Sequence, residues 1–461
     1  MAEGRIQRPV VDDEKCNACF ACVKGCPAEI IPEMRTEESS LRGRIYKDIG
    51  TAPAFNIDKV FGMPPCQLAC PIYQDIKGYI KLIAKEKYEE ALALIRETNP
   101  LPSVTGYICS HPCEMNCVRN TFDDFVPIRA LKRFVADFDD GKSLPSKGDR
   151  YRGKRVSIIG SGPAGLAAAY DLLRMGYQVE TIEASPEPGG MLRYAIPPFR
   201  LPRNILERDI KYIEAMGVRI KTGVRFGTDV TLFDLKKEGT DAVIIAIGTY
   251  QGLKMGVENE RSVIDCLAFL RDYEQVVLGD KVIVVGGGNA AIDAARSALR
   301  RGGKEVKIFY RRSYQEMPAD RDEIEEAQAE GVEINHLSAP VRIIEKGGEV
   351  RGLECVKTEL GELDESGRRR PVPIAGSEFV VNATSIISAV GQQPDLSWNK
   401  EGLAFNISPK NTFIVDHNCH TNIEGVFAAG DAVNGPTTVV EAMASGKKAA
   451  SAVDVYLSGK A

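Results

Sequence analysis

The 461-residue chain has no apolar run of the roughly 20 residues that a membrane helix needs. Its longest, VIIAIG and KVIVVGGG, are strand-sized. No basic, apolar, small-residue leader opens the chain, so no secretory signal is expected and the expected location is cytoplasmic. Charge of one sign is missing too. A net charge of −5 is mild and carries no basic patch, which argues against a nucleic-acid binder. Short mixed runs such as EIEEAQAE and GRRRP read as solvated surface. Cysteine is scarce in the last three quarters, where only the isolated Cys266, Cys355 and Cys419 occur; each reads as a small buried hydrophobe.

The remaining nine of the 12 cysteines lie before residue 120. Without a leader they are not expected to be disulfide staples, because a reducing compartment keeps thiols free. A hydrophobic fraction of 44% suits an ordinary globular core, and the length suggests about three domains at roughly 150 residues each. Residues 1–35 are loop-rich around CNACFACVKGCP. Residues 36–145 become helical, with DIKGYIKLIAKEKYEEALALIRE at helical spacing and NPLP as its stop. DDGKSLPSKGDRYRGK reads as a linker. Beyond it, strands alternate with helices, the mark of an α/β fold built on parallel sheets.

Two strand–glycine–helix units stand out. In RVSIIGSGPAGLAAAYDLLRMGYQVETIEA, Gly160 allows a tight turn, Gly162 lets the backbone approach a pyrophosphate, and Gly165 lets the helix pack close to the sheet. Phosphates would sit against the open N–H groups of the helix N-terminus, and Glu183 would bond the adenosine ribose. The plain alternative is a tight turn in an ordinary α/β domain. In KVIVVGGGNAAIDAARSALRRGGKEVKIFYRRS, Gly286 and Gly288 take the first two roles and Ala291 replaces the third glycine. No acid closes this strand; Arg311 and Arg312 do. An acid repels a 2′-phosphate and guanidinium groups clamp it, which favours NADPH over NADH. The bland alternative is that both arginines are surface charge.

The segment NIEGVFAAGDAVNGPTTVVEAMASGKKAA resembles the part of two-dinucleotide flavoproteins where an aspartate after glycine, here Gly430 and Asp431, holds the flavin ribityl chain. A helix beginning near Thr437 and Thr438 would face the flavin pyrimidine ring. A strand this far downstream places the nicotinamide domain inside the flavin domain: 151–255 with 391–461 for FAD, 256–390 for NAD(P)H. DAVIIAIGT and TSIISAVGQQPD would be the crossings, the second ending at Gly391.

Cys16-x-x-Cys19-x-x-Cys22-x-x-x-Cys26-Pro27 is the bacterial ferredoxin pattern, whose fourth cysteine ligates the other cluster in two-cluster ferredoxins. A zinc site is the competing use of four close cysteines. Cys66-x-x-x-Cys70-Pro71 and Cys109-x-x-x-Cys113-x-x-x-Cys117 follow. Their spacing either aligns thiols on one helix face or wraps them in a turn around a metal.

Taken together, these motifs resemble the small subunit of NADPH-dependent glutamate synthase and its relatives, the N-terminal half of dihydropyrimidine dehydrogenase and the large subunit of ferredoxin:NADP transhydrogenase. The resemblance covers about residues 62–461. It rests on Cys70–Ile80, NPLP, GYICSHPCEMNC, GSGPAGL, PGGMLRYAIPPFRLP with Gly190 and Met191, GGGNAAIDAARSALRRG with Asn289, YRRSYQEMPA, GQQPD and the GDAVNGPTTVVEAMASGKKAA terminus. It implies FAD in the first cradle, NADPH (or NADH) in the second, and 4Fe–4S clusters, two for nine cysteines, in a helical N-terminal domain. Relatives carry an extra Cys-x-x-Cys before the Cys66 equivalent, where this chain has NIDKVFGM, and some carry a glutamine ligand where it has IRALKRF. The ferredoxin-like segment is therefore expected to fold onto the helical domain and supply the missing thiolates.

A thiol-disulfide reductase shares the double cradle but needs a cysteine pair beside the flavin, and PGGMLRYAIPPFRLP has none. A scaffold with vestigial nucleotides conflicts with two complete motifs. A bifurcating flavoprotein or a ferredoxin:NAD(P) oxidoreductase subunit is the standing alternative. No module for an organic substrate is evident, so the expected role is electron input to a partner subunit.

Overall fold

The computed structural model describes residues 63–139, 152–364 and 367–459. Cys16, Cys19, Cys22 and Cys26, with everything expected of residues 1–62, lie outside the described residues, as does most of the expected linker. The chain divides into two compact units, one of Met1–Thr98 with His111–Ile128, the other of Asn99–Ser110 with Arg129–Ala461.

In the first unit the helical stretch is not one helix. It runs from α1 (Pro65–Leu68) through α2 (Ile76–Ile83) and α3 (Tyr88–Arg96). Asp75 caps α2 by accepting the Gly78 N–H at 2.8 Å. Between α2 and α3 the backbone turns at Glu86, whose φ of 59° ends helical continuation. A Cβ at Gly78 would stand 2.7 Å from Leu94 of α3, so the missing side chain is what lets α2 and α3 pack together. The next helix, α4 (Pro102–Ile108), is part of the second unit, and α5 (Pro112–Met115) of the first, where it packs on α1. The last helix before the linker, α6 (Ile128–Asp137), lies in the second unit apart from its first residue.

The second unit is built on two parallel sheets. Chain order runs β1 (Arg155–Ile159), α7 (Pro163–Arg174), β2 (Gln178–Ile182), α8 (Met191–Tyr194), α9 (Arg203–Ala215), β3 (Arg219–Lys221), α10 (Leu232–Lys237) and β4 (Ala242–Ile245). There follow β5 (Ile264–Asp265), α11 (Cys266–Arg271), β6 (Lys281–Val285), α12 (Asn289–Arg300), β7 (Glu305–Phe309), α13 (Arg321–Ala329) and β8 (Glu333–Asn335). An antiparallel group, β9 (Ser338–Lys346), β10 (Glu349–Leu363), β11 (Arg369–Pro373) and β12 (Phe379–Asn382), precedes β13 (Ser385–Ser388). The chain ends with β14 (Val426–Ala428), α14 (Asp431–Asn434) and α15 (Val439–Ser458).

The first sheet has the order β14-β4-β1-β2-β3, so its edge strand comes from the far end of the sequence. Val156 pairs with Val179 on one side and Ala242 on the other, and Ala428 with Ile245. The second sheet, β5-β13-β6-β7-β8, repeats the plan. Both central strands are buried over four consecutive positions, all apolar in β6 and apolar but for Ser157 in β1, as suits strands covered on both faces. The two crossings between the sheets pair as a short antiparallel ribbon, Gln251–Gly252 against Gln392–Gln393. Phe413, Val426 and Ile245 pack in a core against the first sheet. Ile292, Ala295 and Phe269 pack in one against the second. A Cβ at Gly446 would lie 2.0 Å from the Ala164 carbonyl oxygen, so that glycine allows α15 to lie directly on the start of α7. No helix among the described residues is long and apolar enough to cross a membrane.

Candidate functional site

A cavity of about 800 Å³ opens over the carboxyl ends of the first sheet. That is where open parallel sheets bind ligands. Gly160, Gly162, Glu183, Gly190, Met191 and Asp431 all line it, although they come from four separate stretches of chain. Each glycine is there for a measurable reason. At Gly160 φ is 102°, and a Cβ would stand 2.4 Å from the Ala246 carbonyl. At Gly165 a Cβ would be 2.0 Å from the Gly160 carbonyl, and at Gly190, where φ is 56°, 2.7 Å from the Gly162 Cα. Gly162 differs: its Cβ direction meets nothing nearer than 3.9 Å. It is the N-cap of α7 with no side-chain cap, so the space in front of the helix N-terminus is left open and carries its partial positive charge. A pyrophosphate fits that description.

Glu183 is buried, and its carboxylate accepts from the Ser161 N–H at 2.9 Å, the Ser161 hydroxyl at 2.7 Å and the Ser185 N–H at 2.8 Å. These bonds fix the acid at the cavity wall. Asp431 accepts from the Thr437 hydroxyl at 2.6 Å and its N–H at 3.2 Å. Burial, only partly offset by Thr437, lifts its pKa to about 6. The helix expected near Thr437 begins at Val439, with Thr438 as N-cap in a capping box with Glu441. Tyr250, Arg225, Trp398 and Lys400 also line the cavity. None carries a motif signal, because each reaches the site from a loop whose position only the folded chain defines.

The second cradle has the same mechanics with a different filling. Gly286 has φ 152°, and a Cβ there would meet the Ala389 carbonyl at 2.3 Å. Gly288, the uncapped N-cap of α12, faces space open to 3.9 Å. Ala291 is fully buried where the third glycine would be. Asn289 accepts the Asp320 N–H at 2.8 Å. The middle glycine, Gly287, also matters: a Cβ would stand 2.4 Å from the Tyr310 ring. Gly391 takes φ 134° beside Leu253. The two arginines expected at the strand end part company. Arg312 is buried, paired with Asp364 and donating to the Arg369 carbonyl at 2.7 Å. Arg311 is exposed, and its guanidinium makes no hydrogen bond to the described residues. Partial desolvation of the guanidinium against the protein surface, with the neighbouring Arg312 and Arg368, disfavours its charge.

Of the expected metal ligands, Cys66, Cys70, Cys113 and Cys117 lie in the first unit and Cys109 in the second. From Cys109 to Cys117 the backbone does not run as one helix. Cys109 ends α4 in extended conformation, His111 takes φ 41°, Cys113 is in α5 and Cys117 follows it. All are free thiols. Burial pushes the Cys66 thiol up, and Cys117 and Cys70 add to the shift. A cationic iron centre would favour the thiolate that burial disfavours at Cys66. Cys266, Cys355 and Cys419 are buried and isolated, with burial holding the Cys355 thiol at about 12.

Fold and site thus define a pyridine-nucleotide-dependent flavoprotein with an iron–sulfur region. The chain belongs to the pyridine nucleotide-disulphide oxidoreductase family, whose model matches residues 154–446, in the branch that includes glutamate synthase small chains. Residues 61–143 match the model described as dihydropyrimidine dehydrogenase domain II, 4Fe–4S cluster. The chain is 43% identical to the NADP(+)-dependent formate dehydrogenase subunit beta of Moorella thermoacetica over 87% of its own length, and spans 60% of that relative. It is 36% identical to the glutamate synthase [NADPH] small chain of Escherichia coli (strain K12), covering 86% of this chain and 89% of that one. In fold it matches FprA from Mycobacterium tuberculosis with a TM-score of 0.59 at 21% identity, over 67% of this chain and 85% of that one. The chain thus carries a pyridine-nucleotide oxidoreductase domain of the kind that uses FAD and NAD(P)H, and a 4Fe–4S domain.

Proposed function

We propose that this chain oxidises NADPH through FAD and passes the electrons singly, through 4Fe–4S clusters, to a partner subunit. One observation carries the reading. The cavity beneath the first cradle is lined by no cysteine among the described residues, and Cys66, Cys70, Cys109, Cys113 and Cys117 are all free thiols. A disulfide reductase needs the reverse. Flavin supplies the chemistry that joins a two-electron nicotinamide donor to one-electron clusters. The residues present supply the binding. Gly162 and the α7 N-terminus would take the FAD pyrophosphate, Glu183 the adenosine ribose, and Asp431 the ribityl chain. Gly288 and the α12 N-terminus would take the nicotinamide dinucleotide, with Arg311 on its 2′-phosphate. Arg312, held by Asp364, would buttress that strand end rather than touch the ligand.

Both curated relatives are named as components of larger enzymes, one a beta subunit and one a small chain. A partner that carries the substrate chemistry follows for this chain as well. Four cysteines at residues 16–26 and five at 66–117 give ligands for two clusters. The test is anaerobic mixing of the purified protein with NADPH and with NADH. NADPH is expected to bleach the flavin absorbance at the lower concentration; a flavin that neither nucleotide bleaches would reject the proposal.

A further inference from the structure

Between the two cradles lies a buried charge network that neither nucleotide motif explains. Arg200 sits in the loop between α8 and α9, on the flavin side. One of its terminal nitrogens meets the Asp293 carboxylate at 2.6 Å and the other meets Glu323 at 2.7 Å. Asp293 is on α12, one turn beyond Asn289, where the second cradle feeds into the helix. Glu323 is on α13 and also receives Arg296 of α12 at 2.9 Å. The adjacent loop residue, Phe199, faces the guanidinium groups of Arg296 at 5.1 Å and Arg300 at 3.8 Å. Two consecutive residues of the flavin-side loop are therefore clipped to the helix whose N-terminus forms the second cradle. The side chains of Arg200 and Asp293 are only 11% and 4% exposed.

A buried ion pair is a poor way to add stability, because the desolvation of two charges offsets most of their attraction. Packed apolar side chains would join the loop and the helix as strongly. They would not define one register, since apolar surfaces slide and a carboxylate on a guanidinium does not. Two atoms of the pair, Asp293 Oδ1 and Arg200 Nε, have no hydrogen-bond partner, so satisfaction of polar groups is not what the arrangement optimises. What it provides is a fixed offset between α12 and the flavin-side loop. We propose that Asp293 is a positioning residue: through Arg200 it sets the distance and angle at which the second cradle presents a nicotinamide to the flavin. This rests on reading the second cradle as the nicotinamide site.

The groups facing Asp293 are Arg200 from the loop, Glu323 from α13, Arg296 on its own helix and Cys266 at the start of α11. Burial, opposed by Arg200, brings the acid to about 7. Protonation weakens its hold on Arg200, so the rate of flavin reduction should fall as pH drops through about 7. Stability should move the other way: a carboxyl whose folded pKa is raised favours the fold on the acid side and contributes less as pH rises through about 7.

The experiment is anaerobic rapid mixing of the full-length holoprotein with NADPH, following flavin bleaching and the long-wavelength charge-transfer absorbance of a nicotinamide stacked on flavin. Asp293→Asn should reduce the bleaching rate by about 10- to 100-fold, the scale of an ångström-sized misplacement. The charge-transfer absorbance and the pH dependence near 7 should go with it, while flavin content stays at the wild-type level. Arg200→Gln should do the same, and decides the matter if Asp293→Asn fails to fold. Both variants reduced at the wild-type rate, with the charge-transfer absorbance intact, would overturn the assignment. A wild-type protein that neither NADPH nor NADH reduces would instead overturn the proposed function.

Discussion

A methyl group at Gly165 would stand 2.0 Å from the Gly160 carbonyl oxygen, and backbone, unlike a long side chain, has nowhere to go. Gly165→Ala should therefore cost about 3 kcal/mol or more, the upper end of what overpacking does. It should also push α7 away from the pyrophosphate position; flavin retained per protein after gel filtration checks this, and a wild-type ratio would count against the cradle. Arg311 and Arg312 are neighbours with opposite fates, one exposed and one sealed against Asp364. A charge-assisted hydrogen bond is worth about 1.5–3 kcal/mol, so Arg311→Gln should raise KM for NADPH by about tenfold or more. KM for NADH should stay unchanged, and equal losses with both nucleotides would remove the specificity role. That difference between the two arginines was not legible in the sequence. The partner that decides it, Asp364, is 52 residues away on a hairpin whose approach no local pattern announces.

At the scale of elements, α15 is the longest helix among the described residues and carries its own start signal. Thr438 accepts from the Glu441 N–H, and Glu441 returns the bond to the Thr438 N–H at 2.9 Å. Removing that cap with Thr438→Ala should cost about 1 kcal/mol, read as a lower thermal midpoint. Both strand–glycine–helix units were legible because their spacing is a mechanical requirement: a turn, a close approach and a close packing, in that order. The return of β14 to the first sheet was legible for a similar reason, since Gly430 and Asp431 follow a short apolar strand. Three features were not. The break between α2 and α3 depends on one left-handed residue, Glu86, of a type that helices ordinarily accept. In the antiparallel β9–β12 group, β11 and β12 are largely exposed and carry no motif. Gly287 and Gly446 look like filler until the Tyr310 ring and the Ala164 carbonyl are seen against them.

At the scale of the whole molecule, the glycine cradles and the cysteine-rich segment occupy different stretches of the chain. Both glycine cradles occupy the second unit; nine of the 12 cysteines precede residue 120, and among the described residues no cysteine lines the cavity over the first sheet. A chain so built must store more electrons than one flavin holds. The most direct measurement is an anaerobic reductive titration with NADPH, counting equivalents consumed per flavin while recording the electron paramagnetic resonance spectrum. One equivalent reduces FAD alone, and each reduced 4Fe–4S cluster consumes a further half. The account predicts uptake beyond one equivalent, about two if two clusters are present and both are reduced, together with the signals of reduced clusters. An end point at one equivalent, with no iron signal at any stage, would contradict it.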